Sequence, residues 1–184
     1  MRRPLRGSSR PPVVVAEVKG QPDHAWKALS LVNDWIKHAE TKAGATLAAG
    51  GVVGGVLFNL MHNRHNAGWN LDIAATVCGS AALVAGVLAA ISLWPRLGQK
   101  EDPTSALYFS HIARQHETQA SYHETLRLLT VDSDLLIKEI AGQVYENARI
   151  AHKKFIWSGW ALRALVLAFG ALGLVALIIA KRSL

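Results

Sequence analysis

The strongest constraint on this chain is a run of nineteen residues without a charged side chain, residues 43–61, with the sequence AGATLAAGGVVGGVLFNLM. An α-helix rises about 1.5 Å per residue, so a helical run of this length spans the roughly 30 Å hydrocarbon core of a bilayer. Buried helices of soluble proteins seldom need so long an uninterrupted apolar run. Residues 43–61 therefore predict a first transmembrane helix.

Two further segments are apolar over a similar length, although each contains one charged residue, Asp72 and Arg163 respectively. Residues 71–94 are rich in Ala and Gly and are followed by Pro95 and Arg96, and residues 155–180 form the last apolar run of the chain. The chain is 51% hydrophobic but only 7% aromatic, so small aliphatic residues supply most of its apolar content. These features predict an all-α, multi-pass membrane protein with three transmembrane helices.

Four glycines lie in the first predicted span. Gly50, Gly51, Gly54 and Gly55 form two overlapping GxxxG spacings. Small residues in line along a helix let the backbone of a second helix approach closely. That second helix is either another span of the same chain or a span of a second copy, and the pattern does not choose between them. We expect a homo-oligomer.

Helical patterns also occur outside the spans. Residues 23–42, with Asp23 as N-cap, predict an amphipathic helix that leads directly into the first span. Residues 96–154 predict a cytoplasmic helical bundle, and its last helix, capped by Asp132 or Ser133, continues into the third span. The third span is therefore predicted as one long helix that starts outside the membrane and ends within it.

The distribution of basic residues predicts the topology. Eight Lys and Arg precede the first span, one lies between the first two spans, eight lie in residues 96–154, and Lys181 and Arg182 follow the third span. The positive-inside rule then places the N-terminus and residues 96–154 in the cytoplasm, and the hairpin between the first two spans and the C-terminus outside. Lys181 and Arg182 run against this rule, but they are outnumbered.

The N-terminal residues 1–22 carry much of the net charge of +7. They contain four Arg and four of the six prolines, which predicts a disordered basic tail that is attracted to anionic lipid. Nucleic-acid binding is the alternative, but proteins that bind single strands usually place aromatic residues between the basic ones, and this tail has none. We therefore expect no nucleic-acid partner.

No pattern indicates catalysis or a metal site. One helix is predicted from Tyr108 to Thr130, and on it His116 and His123 lie seven residues, or about 10 Å, apart, too far to share a metal ion. The single cysteine, Cys78, lies in the second span and has no partner for an intrachain disulfide. No P-loop, GxGxxG or nucleophile–base motif occurs. We predict that the protein is not an enzyme and holds no metal or cofactor.

Polar residues beside the membrane suit an anionic ligand. If the ligand is a nucleotide, an aromatic ring can stack on its nucleobase, and guanidinium groups can pair with its phosphate. Lys153 and Lys154 either belong to this cationic surface for the ligand or contact anionic lipid headgroups. The predicted ligand-binding residues are Asn33, Lys37 and Lys42 on the first helix, and Arg114, Tyr145, Asn147 and Arg149 in the later region.

Three segments in order, NDWIKHAETKAGATLAAG, TSALYFSHIARQ and QVYENARIAHKKF, resemble the transmembrane effectors of bacterial Pycsar anti-phage systems, the PycTM type. The resemblance covers about residues 24–180. Where the family pattern has Pro and Gly, this chain has Ala106 and Ser110. The family resemblance implies a partner uridylate or cytidylate cyclase, activation by cyclic CMP or cyclic UMP during infection, and damage to the inner membrane that leads to abortive infection.

Two other functions are compatible with the residues. One is a membrane-anchored helical scaffold or signalling adaptor without a nucleotide ligand. The other is a small-solute channel, which requires charges lining a span, and only Arg163 qualifies. Arg163 either extends to the headgroups or faces a pore or ligand, and the sequence leaves both open.

Overall fold

The computed structural model describes residues 20–62, 68–94 and 105–183, and within them it contains five α-helices and no strand. Three of the helices are long and apolar enough to cross a membrane, which confirms the predicted all-α, three-span fold. The predicted basic tail, residues 1–22, lies almost entirely outside the described residues. The helices are α1 (Pro22–Met61), α2 (Trp69–Leu93), α3 (Phe109–Gln115), α4 (Gln119–Val131) and α5 (Ser133–Ser183).

The three long helices pack together, with α1 and α5 parallel and α2 antiparallel to both. At one level Ala43, Ala89 and Ala161 form a cluster, one residue from each helix. At a second level, further along α1, Leu57 packs against Leu71 and Val175. Between these levels the residue numbers rise along α1 and α5 and fall along α2, which gives the relative directions.

The inner face of α1 has one unbroken pattern from end to end. Buried and half-buried residues recur at alternating spacings of four and three, the pattern of a coiled coil with a left-handed supercoil. The pattern does not change where the apolar run begins, so α1 packs as a single rod from its polar start to its apolar end. Its members are Ala25, Leu29, Val32, Ile36, Ala39, Ala43, Thr46, Gly50, Val53, Leu57 and Leu60.

Small side chains allow the three helices to approach closely. Ala85 of α2 and Ala168 of α5 are fully buried, as is Cys78, whose thiol donates a hydrogen bond to the Ala168 carbonyl at 3.4 Å. Contact between helix backbones through small residues is the usual way that helices associate in lipid. The second-span cysteine is therefore part of the helix interface.

The GxxxG glycines divide between two environments. A Cβ placed on Gly50 would lie 3.6 Å from the carbonyl oxygen of Ala82, so this glycine faces α2 of its own chain. A Cβ on Gly51, Gly54 or Gly55 would meet nothing within 4 Å among the described residues. The same-chain partner thus accounts for Gly50 alone, and self-association through the other three stays a prediction.

The helix predicted from Tyr108 to Thr130 is in fact two helices, α3 and α4. Thr118 begins α4 as its N-cap, because its Oγ1 accepts a hydrogen bond from the Ser121 amide at 3.3 Å. A Thr side chain that binds a nearby amide competes with continued helix, and the pattern of apolar residues does not reveal this.

The predicted starts of α5 and α1 lie within two residues of the observed ones. Asp132 caps α5, since its Oδ1 accepts from the amides of Asp134 at 3.0 Å and Leu135 at 3.1 Å. At α1 the N-cap is Gln21 rather than Asp23, because Pro22, which lacks an amide hydrogen, occupies the first helical position.

Replacing Ala89 by leucine tests the close packing of the long helices. Ala89 is fully buried in the cluster with Ala43 and Ala161, so the larger side chain should lower the free energy of unfolding by about 1–3 kcal/mol. Its neighbour Ala90 is exposed, and Ala90→Leu should change stability by less than about 0.5 kcal/mol. The measurement is chemical unfolding of the detergent-solubilised chain followed by circular dichroism. Equal losses in the two variants would contradict the packing.

Candidate functional site

Two polar contacts join α1 to α5 in the region we call the stem, residues 22–42 of α1 with residues 133–154 of α5. Asn147 Nδ2 donates to Asn33 Oδ1 at 2.8 Å, and Lys154 Nζ donates to Glu40 Oε1 at 2.8 Å. In both pairs the partners lie 114 positions apart in the chain. The two contacts are seven residues apart on each helix, one heptad, so they specify the same register.

Lys154 also connects the stem to α2. Its Nζ donates to the carbonyl oxygen of Ser92 at 3.0 Å, and the Ser92 hydroxyl donates back to the Lys154 carbonyl at 3.1 Å. Carbonyls in the last turn of a helix have no partner within that helix, and a cation there also interacts favourably with the helix dipole. Lys154 therefore ties all three long helices together at one level.

The inward orientation of Lys154 is a feature that sequence reasoning missed. The sequence makes Lys153 and Lys154 equal candidates for contact with lipid headgroups, yet Lys154 is 5% exposed while Lys153 is exposed. The spacing contains the signal, because Lys154 lies fourteen residues after the buried Ile140 and four before the buried Ser158. A lysine on a buried stripe indicates a specific partner, since an unpaired buried ammonium is strongly disfavoured.

A third amide lies on the same face of α5. Gln143 is one helical turn before Asn147, and its Oε1 is buried without a hydrogen-bond partner among the described residues. A buried acceptor left unpaired costs about 1–3 kcal/mol. The stem thus places Asn147 on the buried stripe of α5, midway between Ile140 and Lys154, where a coiled coil normally has an apolar side chain, with the half-buried Asn33 and Gln143 beside it. Such departures from an otherwise consistent pattern are expected at functional positions.

The structure brings some of the predicted ligand residues together and separates others. Asn33 and Asn147 are in contact, and Lys37 lies one turn along α1, exposed and paired with Asp34 at 3.3 Å. Tyr145 and Arg149 lie two residues before and after Asn147, about 200° around the helix from it. They are therefore on the opposite face of α5 from the amides.

The outward face of α5 forms its own cluster. The Arg149 guanidinium lies 5.8 Å from the centre of the Tyr145 ring and pairs with Glu146 at 3.3 Å. Tyr145 is 64% exposed. This face can offer an aromatic surface and a positive charge, but it does not share a cleft with Asn33.

Lys42 and Arg114 lie away from both clusters. Lys42 lies over the Phe155 ring at 5.4 Å, beside the point where the apolar part of α5 begins. Arg114 is exposed on the short helix α3. A base further along, Arg127, contacts both carboxylate oxygens of Glu124, at 2.8 Å and 3.1 Å, and this hydrogen bonding lowers the pKa of Glu124.

The remaining candidates do not form a site within the described part of the chain. No group of three or more His, Cys, Asp or Glu side chains among these residues is placed to hold a metal ion. His116 instead contacts the Ser121 hydroxyl at 3.0 Å. Arg163 is exposed on the outside of the three-helix bundle, over the Trp160 ring at 4.7 Å, so it does not line the space between the helices.

Comparison with known proteins gives two matches. Residues 24–181 match the family described as the Pycsar effector protein domain, PycTM. The chain is 33% identical over 182 residues to "Pycsar effector protein PtPycTM" from Propioniciclava tarda, covering 94% of this chain and 88% of that protein. No solved structure matches the chain significantly.

Replacing Lys154 by methionine tests the three-helix contact. Loss of the hydrogen bonds to Glu40 and Ser92 should lower the free energy of unfolding by about 1–3 kcal/mol, while Lys153→Met, at an exposed position, should change it by less than about 0.5 kcal/mol. Adding Glu40→Gln to Lys154→Met should cost less than it does in the parent chain. Strict additivity in chemical unfolding would contradict a direct Glu40–Lys154 interaction.

Proposed function

The chain belongs to the PycTM family of Pycsar effector proteins, and on that premise we propose that it is an effector of the bacterial inner membrane that responds to a cyclic pyrimidine nucleotide. The activating ligand is cyclic CMP or cyclic UMP, made by a partner cytidylate or uridylate cyclase. Activation impairs the membrane of the infected cell and so causes abortive infection. The family supports the effector role, and the stem geometry supports the ligand.

The ligand binds in the stem at the three amides. Pyrimidine edges carry both hydrogen-bond donors and acceptors, and amide side chains supply both kinds of group. The single observation that carries this proposal is the unpaired, buried Gln143 Oε1 one turn from the Asn33–Asn147 contact. Lys37, one turn along α1, provides positive charge for the cyclic phosphate. Tyr145 and Arg149 remain a separate prediction for the opposite face.

Ligand binding acts on the membrane-spanning parts of the chain by changing the register of α1 and α5. A pyrimidine ring inserted between Asn33 and Asn147 separates α1 from α5 at that level. The next polar contact between these helices, Glu40–Lys154, is one heptad nearer the membrane. Because Lys154 also holds Ser92, a displacement there moves α2 as well. The glycines without a neighbour on α1 then offer a surface for association of copies in the bilayer.

The topology that suits this mechanism has the stem in the cytoplasm. The ligand and its cyclase are then on the same side of the membrane as the amides. The excess of bases before the first span and in residues 96–154 supports this orientation.

A scaffold function is favoured by one other observation. Leu31 and Trp35 lie one turn apart on the stem part of α1 and are 52% and 46% exposed. An exposed apolar pair outside the predicted spans suits a protein partner. This alternative predicts no nucleotide binding.

Replacing both Asn33 and Asn147 by leucine separates ligand binding from folding. Both asparagines are half-buried where α1 meets α5, and apolar residues can replace a polar pair there, so the double variant should be about as stable as the parent. It should bind cyclic CMP or cyclic UMP about tenfold or more weakly, because hydrogen bonds of about 0.5–1.5 kcal/mol each are lost. The measurement is calorimetry of the detergent-solubilised chain with cyclic CMP, cyclic UMP and cyclic AMP.

The control is Lys138→Gln, an exposed change on the stem part of α5 that should leave binding unchanged. In dye-loaded liposomes the parent and this control should release dye on addition of the ligand, and the double leucine variant should not. Unchanged nucleotide binding by the double leucine variant would refute the stem site. No binding by the parent chain would favour the scaffold.

A further inference from the structure

A groove of about 480 Å³ lies between the start of α2 and the end of α5, at the end of the three-helix bundle opposite the stem. Its lining has two parts. Ile73, Leu174 and Ile178 form an apolar wall, and Asn70, Lys181 and Arg182 form a polar end. The two parts lie one after the other along the helix axes, with the polar end at the helix ends and the apolar wall toward the middle of the spans.

The groove lies at the level where hydrocarbon gives way to headgroups. Trp69, next to Asn70, is 78% exposed, and tryptophan is enriched at this boundary. Ile73 and Leu174 are each about half exposed on the outside of the bundle, so an acyl chain can reach them from the surrounding lipid. The polar end is therefore placed for a headgroup and the wall for a chain.

One basic side chain of the groove, Arg182, packs against Gly68, the residue just before α2. Gly68 has a φ of 71°, and a Cβ there would lie 2.8 Å from the Arg182 Nη2. The guanidinium thus packs on the Gly68 backbone, where any larger residue would displace it. Lys181 and Arg182 are also the bases that run against the positive-inside pattern, so a local role explains them better than topology does.

We propose that this groove binds one phospholipid. The phosphate lies against Lys181 and Arg182, the Asn70 amide donates to a phosphate or ester oxygen, and an acyl chain packs along Ile73, Leu174 and Ile178. A phosphate anion and two cations form charge-assisted hydrogen bonds, which are stronger than neutral ones. Asp72 is two residues from Asn70, on another face of α2, and does not line the groove. The lipid joins α2 to α5 at the end of the bundle that Lys154 does not reach.

Lipid binding to the full chain in detergent tests this proposal, with phosphatidylglycerol as the probe and native mass spectrometry as the measurement. The double variant Lys181→Gln/Arg182→Gln should bind phosphatidylglycerol about thirtyfold more weakly, which is about 1 kcal/mol for each base. Lys27→Gln/Lys138→Gln removes the same charge from exposed positions of the stem, at the opposite end of the bundle, and should bind as the parent does. Equal affinities in the two double variants would overturn the site.

Two further arms identify the ligand. Inorganic phosphate bound as tightly as phosphatidylglycerol would mean a free-anion site and would overturn the lipid assignment. Leu174→Ala should weaken binding of long-chain phosphatidylglycerol but leave the dihexanoyl form unaffected, because Leu174 lies seven residues, or about 10 Å, from Lys181 and only the long chain reaches it. Equal effects on both chain lengths would exclude the apolar wall from the site. The nucleotide response is not measured in these arms, so their outcome is independent of the proposed effector function.

Discussion

The architecture depends on a lysine ammonium placed among three helices. An ammonium removed from water is strongly unfavourable unless its charge and its donors are satisfied. The Glu40 carboxylate on α1 supplies the compensating negative charge and one acceptor, and the Ser92 carbonyl on α2 supplies a second acceptor. Small displacements of any of the three helices would leave Lys154 without one of these partners. The contact therefore makes the helices respond together, at the point where the stem meets the predicted spans.

A second polar contact in the stem fixes the same register of α1 against α5. The Asn33–Asn147 pair repeats the 114-residue offset one heptad earlier, and the pattern on α1 continues unchanged from the stem to Leu60. A polar residue at a core position of a coiled coil, here Asn147, specifies register at some cost in stability. A ligand that competes for these amides can act on the whole rod, because no break separates the stem of α1 from its apolar part.

The sequence predicted the features that depend on local composition and period. Long apolar runs indicated the three spans, and Asp132 marked the start of α5. The break at Thr118 and the burial of Lys154 were missed, because both depend on one side chain finding a particular backbone partner. For the site, charge and hydrogen-bonding type selected Asn33 and Asn147, which meet. The same criteria also selected Tyr145 and Arg149, which helical geometry places on the opposite face.

Disulfide trapping tests the register of α1 and α5 most directly. In a Cys78→Ser background, Asn33→Cys is combined with a cysteine at Asn147, or at Gln143 or Ala151, one turn before or after it on the same face of α5. The structure predicts rapid intrachain oxidation with Asn147→Cys and slow oxidation with the other two. Oxidation at Gln143 or Ala151 as fast as at Asn147, or disulfides formed only between chains, would contradict the account.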